Sequence, residues 1–184
     1  MTTPLAPIDP TTASGAAKDL LDQVQQALGA TPNMTKVMAN SPALLGGYLA
    51  LSGALGKGTI PAASREQLAI ATAEANGCGY CLSAHTYIGS NLAKLPDSEL
   101  EAAREAESAD PHTAALLTLS EEILRTRGHV SQDAIATAKA AGVSDAEIGE
   151  VVGNIALNVL TNYFNVLAGV ENDWPVEVTP RAQG

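Results

Sequence analysis

No stretch of this chain alternates apolar and polar residues for long enough to read as a strand; Ala and Leu dominate its apolar positions and aromatic residues are few, so the pattern predicts an all-α fold. Helix punctuation divides the chain into about eight segments. Ser14 can cap a helix running to about Leu28, with Gly29 beyond its end, and Ser41-Pro42 opens another that stops near Gly56 to Gly58. Pro61 precedes a helix from about Ala62 to Ala75, Asn76-Gly77 reads as a turn, and the next helix starts at Cys78 and runs to about Ala93. Asp97, Asp110-Pro111 and Ser131 open three more. Ser144 with Glu147 forms a capping box before the long last helix. The expected organisation is an N-terminal arm over 1–12, one helical domain over 13–173 and an extended tail over 174–184.

The longest apolar run, Val151 to Leu167, carries Gly153, Asn154, Asn158, Thr161, Asn162 and Asn165 within it, so no segment is expected to span a bilayer. Asn154, Asn158, Asn162 and Asn165 follow at intervals of four, four and three, which places them on one polar stripe of an otherwise apolar helix. Asparagine is a poor helix former and a buried amide needs partners. The expected use is a hydrogen-bonded seam between helices or subunits; the alternative is that part of the stripe lines a functional pocket.

Composition narrows the function. A formal charge of −10 with no basic cluster excludes nucleic acid and anionic membrane as natural partners. The first fourteen residues, MTTPLAPIDPTTAS, carry neither positive charge nor an apolar core, so they do not read as a signal peptide and the expected location is cytoplasmic. Ala-rich helices bury little area each, which favours packing further surface against a copy of the chain, so a homo-oligomer is expected.

The chemistry sits in one segment. Cys78 and Cys81 are the chain's only cysteines, in Cys-Gly-Tyr-Cys, and His85 follows four residues later. Three residues apart on a helix, the two Cα atoms lie about 5 Å from each other, within reach of a disulfide. In a reducing compartment such a pair reads as redox-active rather than structural. His85 lies one turn beyond Cys81, where an imidazole can take the thiol proton. A helix N-terminus would instead favour ionisation of Cys78, so the nucleophile stays open between the two. Glu66 and Glu74 are the candidate carboxylates. On one continuous helix Glu66 would be about 18 Å from Cys78, so only a fold-back at Asn76-Gly77 brings it to the thiols. A zinc site could draw on Cys78, Cys81, His85 and a glutamate, but structural zinc usually pairs two ligand dyads and there is no second one, so no metal is expected. His112 and His129 are expected at the surface without a role.

Glu66, eleven residues, Cys78-Gly79-Tyr80-Cys81, three residues and His85, within REQLAIATAEANGCGYCLSAH, resembles the core motif of the alkylhydroperoxidase D-like (AhpD-like) branch of the carboxymuconolactone decarboxylase superfamily. The likeness is strong over about residues 60–93 and weaker, including NVLTNYFNVLAG, over most of the chain. It implies an all-helical fold assembled as trimers or hexamers, and a peroxidase cycle without metal, haem or other cofactor. By that resemblance Cys81 attacks a hydroperoxide, Cys78 resolves the sulfenic acid to a disulfide, His85 and Glu66 relay protons, and a dithiol or lipoyl-protein reductant closes the cycle. In the best-known members the middle of the motif holds another His where this chain has Tyr80, which would route the relay through a phenol or water. A carboxymuconolactone-type decarboxylase, which leaves the thiol pair unexplained, and a non-catalytic redox sensor are the other readings.

Overall fold

The computed structural model describes residues 5–181. Among them the chain forms nine α-helices and no strand: α1 (Gly15–Leu28), α2 (Asn33–Met38), α3 (Pro42–Leu55), α4 (Ala62–Ala75), α5 (Gly79–Asn91), α6 (Asp97–Ala103), α7 (Pro111–Thr126), α8 (Gln132–Ala140) and α9 (Asp145–Ala168). The local signals acted largely as their chemistry suggests. Ser41, Asp110 and Ser131 each accept a backbone N–H from the first turn of the helix they cap, and Ser144 with Glu147 closes a full capping box. The helix without a sequence signal is α2. At six residues it is too short to show a period, and it is held by burying Met34, Val37 and Met38.

Helix α4 is the central element, with eight of its fourteen residues buried. Ile70 and Ala73 belong to one core, with Leu21, Met34, Met38, Leu45, Leu82, Leu100 and both cysteines. Leu68 and Ala71 belong to the other, with Ile60, Leu116, Leu117, Ile123, Val151 and Ile155. A helix that divides two cores must be apolar or small on nearly every side, which is what the Ala-rich sequence provides. Helix α9 crosses α4, α7, α3 and α5. Among the described residues it alone is long and apolar enough to cross a bilayer, and that apolar length is used in packing instead, with all four stripe asparagines buried.

The turn between α4 and α5 satisfies the end of one helix and the start of the next within three residues. Gly77, at φ +65°, lets its N–H reach Glu74 O (3.0 Å) while the Cys78 N–H reaches Ala73 O (2.9 Å). This pair of bonds is a Schellman motif. Cys78 is also the N-cap of α5: its extended backbone places Sγ where it accepts the Cys81 N–H at 3.4 Å. Cys78 therefore stands just outside the helix rather than in its first turn as expected, and α5 ends at Asn91 rather than Ala93.

The described residues before α1 and after α9 run over the helices. The arm is tied to α2 by the Ile8 N–H on Lys36 O (3.0 Å) and to the α2–α3 connection by Asn40 Nδ2 on Ala6 O (2.7 Å). The segment after α9 lies along α5: Asp173 accepts from Tyr80 Oη, Trp174 packs on Tyr87 with ring centroids 5.7 Å apart, and the Val178 N–H donates to Ser83 Oγ. Residues 1–4 of the expected arm and 182–184 of the expected tail lie outside the described residues.

Since an L-residue with a side chain is disfavoured at positive φ, Gly77→Ala is expected to lower stability by about 1–2 kcal/mol. Urea denaturation should show a lower midpoint with an unchanged slope.

Candidate functional site

The fold-back at Gly77 lays α5 against α4 and brings together what the sequence separates. Glu66, in the second turn of α4, meets His85, in the second turn of α5, through a 2.8 Å hydrogen bond between Oε2 and Nδ1. Both side chains are about four-fifths buried. Gly89, one turn beyond His85, lets α5 approach α6 closely; a Cβ there would stand 2.7 Å from Leu100, and only in ordinary contact, at 3.8 Å, with the Glu66 Cβ. With Nδ1 engaged by Glu66, the ring's Nε2 is its remaining proton site, and Cys81 lies one turn back on the same helix.

Cys78 and Cys81 are free thiols, exposed by only 1% and 2%. Their surroundings push them apart. A hydrogen bond from the Cys78 thiol lowers Cys81 most, against the opposing effect of burial; the charge of His85 and the amides of Asn165 and Asn162 add to it, bringing Cys81 down to about 6. Cys78 moves upward, because it supplies that hydrogen bond to Cys81 and is itself buried. One thiol is thus prepared as the thiolate and the other as its proton-bearing neighbour. For His85, burial works against the imidazolium, but the charge and hydrogen bond of Glu66, together with the charge of Cys81, prevail and raise it above the ordinary histidine value.

The other sequence candidates divide cleanly. Glu74 is not at the thiols. Its carboxylate holds Arg104 Nε at 2.6 Å and the Arg181 N–H at 2.6 Å, clasping the tail to α4 and α6. Tyr80 does not join the Glu66–His85 pair either: its hydroxyl donates to Asp173 Oδ1 at 2.9 Å and accepts the Met34 N–H at 3.3 Å, and burial raises the phenol. Tyr80 instead anchors the tail and α2 to the thiol helix. His112, expected to be a surface residue without a role, bonds Glu147 Oε1 at 2.8 Å, while Oε2 of the same carboxylate accepts from Ser144. It ties the start of α7 to the capping box of α9. His129 is exposed in the α7–α8 connection. Among the described residues no group of three His, Cys, Asp or Glu is placed to hold a metal ion.

The stripe on α9 divides in two, and its first half does not form the expected seam between helices. Its first half is satisfied on its own helix, with Asn154 Nδ2 on Glu150 O and Asn158 Nδ2 on Asn154 O, each at 2.8 Å. Its second half reaches the thiols: Asn165 Nδ2 donates to Cys81 Sγ at 3.1 Å, and Thr161 Oγ1 lies 4.0 Å from the same sulfur. Three further neighbours had no sequence signal. Met34 Sδ accepts from Asn165 at 3.3 Å, Asn76 Nδ2 donates to Asn162 Oδ1 at 3.0 Å, and the Tyr48 phenol is pushed up to about 12 by burial and by the charges of Cys81 and Glu66.

Comparison with known proteins finds the same kind of helical fold. Residues 42–121 match the model described as the carboxymuconolactone decarboxylase family. Among solved structures, the chain superposes on an alkylhydroperoxidase AhpD core, an uncharacterized peroxidase-related protein from Ralstonia eutropha JMP134, with TM-score 0.81, 20% identity and 94% of each chain covered. A peroxidase-related protein from Silicibacter sp. TM1040 gives TM-score 0.77 at 21% identity, covering 93% of this chain and 94% of that one. The debrominase Bmp8 gives 0.78 at 20% identity with 94% of each covered. No curated protein matches the sequence. Over residues 42–121 the chain is thus similar to the carboxymuconolactone decarboxylase family, and over most of its length it shares the fold of the AhpD core.

Because Cys81 is depressed to about 6, its iodoacetamide alkylation is expected to rise as pH climbs through 6 and to level off above it, where the thiolate is fully formed. Glu66→Gln removes the charge that supports the imidazolium, so the midpoint should move up toward the ordinary thiol value of about 8.5. An unmoved midpoint would assign Glu66 a purely structural part.

Proposed function

We propose that this protein is a thiol-dependent peroxidase that reduces alkyl hydroperoxides or hydrogen peroxide through a Cys78–Cys81 disulfide. The observation that carries the reading is the opposed preparation of the two sulfurs beside one Glu–His pair. The Cys81 thiolate attacks the terminal oxygen of the hydroperoxide, an S–O bond forms and the O–O bond breaks. The departing alkoxide takes a proton from the His85 imidazolium, whose charge Glu66 stabilises. Cys81 becomes a sulfenic acid; Cys78 displaces its oxygen, the S–S bond forms, and water leaves with the Cys78 proton. A dithiol or lipoyl-protein reductant returns both thiols. Decarboxylation of a muconolactone would leave the paired sulfurs without a part. A debrominase among the structural neighbours shows that the fold carries other chemistry as well.

The purified protein is expected to consume cumene hydroperoxide in the presence of a dithiol, with Cys81→Ser inactive and peptide mapping of the peroxide-treated wild type showing an intramolecular Cys78–Cys81 bond. Full activity in Cys81→Ser would sink the mechanism.

The reading includes a homo-oligomer, as a trimer or hexamer, working in the cytoplasm. Of α3's fourteen residues only Leu45 is buried. Val152, Ala156, Tyr163 and Leu167 form an exposed stripe on α9 at intervals of four, seven and four. No charged residue interrupts α3 or the α9 stretch from Val151 on, so two copies of a chain with net charge −10 can meet there without like-charge repulsion. Light scattering after gel filtration should find an oligomer, and Leu167→Glu should reduce it to a smaller species. A monomeric wild type would contradict this.

A further inference from the structure

Among the described residues, four buried side-chain polar atoms have no hydrogen-bond partner: Ser120 Oγ, Trp174 Nε1, Asn162 Nδ2 and Asn165 Oδ1. The last two belong to the α9 amides that face Cys81. Asn162 is fully buried and Asn165 is 2% exposed. The Asn165 amide is held by its Nδ2 on the Cys81 sulfur at 3.1 Å, so its Oδ1 lies one amide width from that donor. The Asn162 amide is aimed by Asn76, which donates to its Oδ1 at 3.0 Å and leaves Nδ2 on the other side. An unpartnered buried donor or acceptor costs stability, and here one of each stands beside one sulfur.

A free N–H and a free carbonyl oxygen are together the complement of a single hydroxyl, which accepts from one and donates to the other. The Cys81 thiolate is an acceptor only, so it leaves the Asn165 oxygen without a donor. Two species in a peroxidase cycle supply such a hydroxyl: the hydroperoxide, through its terminal O–H, and the sulfenic acid, through S–O–H. We propose that Asn162 Nδ2 and Asn165 Oδ1 form the hydroxyl site of this protein, holding the terminal O–H of the hydroperoxide during attack and the sulfenic O–H until Cys78 displaces it.

The inference rests on the peroxidase reading and adds a substrate criterion. A hydroperoxide fills both positions, whereas a dialkyl peroxide has no hydrogen for Asn165. The oxygen and its hydrogen stay in place as the bond partner changes from RO to Cys81 sulfur, so the site serves both sides of the transition state. The alkoxide leaves on the other side with the proton from His85, and the hydroxyl later departs as water with the proton from Cys78. Asn76 gives the α4–α5 turn a second use: the residue that ends α4 also aims the Asn162 amide.

The test compares two reagents on the reduced protein under stopped flow, at a pH where Cys81 is fully ionised. Cumene hydroperoxide needs the hydroxyl site; iodoacetamide reports only a folded, reachable thiolate. For Asn162→Ala, the rate constant with cumene hydroperoxide is expected to fall about tenfold, the loss of one hydrogen bond, while alkylation by iodoacetamide stays within twofold of wild type. Asn162→Leu, which keeps the side-chain volume, should behave the same way and guards against a cavity effect. An unchanged hydroperoxide rate, or equal slowing with both reagents, would overturn the hydroxyl site while leaving the peroxidase reading in place. A wild-type protein whose thiols react with iodoacetamide but not with cumene hydroperoxide would overturn both.

Discussion

The structure depends on the turn at Asn76-Gly77-Cys78. A glycine in the left-handed region ends α4, and the next residue begins α5 by lending its sulfur as a cap. Because no connecting loop intervenes, the two helices are locked side by side over their length, and Glu66 faces His85 without any long-range restraint of its own. A longer or more flexible connection would leave the Glu66–His85 pairing dependent on chance registry. Here the registry follows from backbone hydrogen bonds that both helices need in any case.

The same turn explains the inequality of the two sulfurs. Cys78 is held by its backbone position, buried, and oriented to give its hydrogen bond to Cys81. Cys81 receives that bond, an amide N–H from Asn165 and the nearby charge of His85. Helix N-terminal position alone would have favoured Cys78 as the acidic thiol. Specific hydrogen bonds outweigh that field because they act at contact distance, whereas the terminal charge of a helix is diffuse and Cys78 has already engaged the Cys81 N–H.

Around this centre the molecule gathers supports from distant parts of the chain. Helix α9 supplies amides, α2 supplies Met34, and the tail returns along α5 through Asp173, Trp174 and Val178. Tyr80 shows how a motif position changes its use: its ring fills the core and its hydroxyl fastens the tail, so the position serves architecture rather than proton transfer. Glu74 does the same from α4 through Arg104 and Arg181.

What the sequence determined by itself was local. Caps at Ser41, Asp110, Ser131 and Ser144, the break at Gly77, the all-helical class and the Cys78, Cys81 and His85 segment were all legible, because each rests on residue types and spacings within a few turns, whereas Glu66 was singled out from Glu74 only by the motif it resembles. The asparagine stripe was legible as a pattern but not as two halves with different partners. Helix α2, the His112–Glu147 tie, the diversion of Glu74 and Tyr80, and the approach of Met34, Tyr48 and Asn76 to the site were decided only by tertiary structure. Each of these joins residues on separate helices, and the partner of a buried polar group is set by which helices pack together rather than by its own neighbours in the chain.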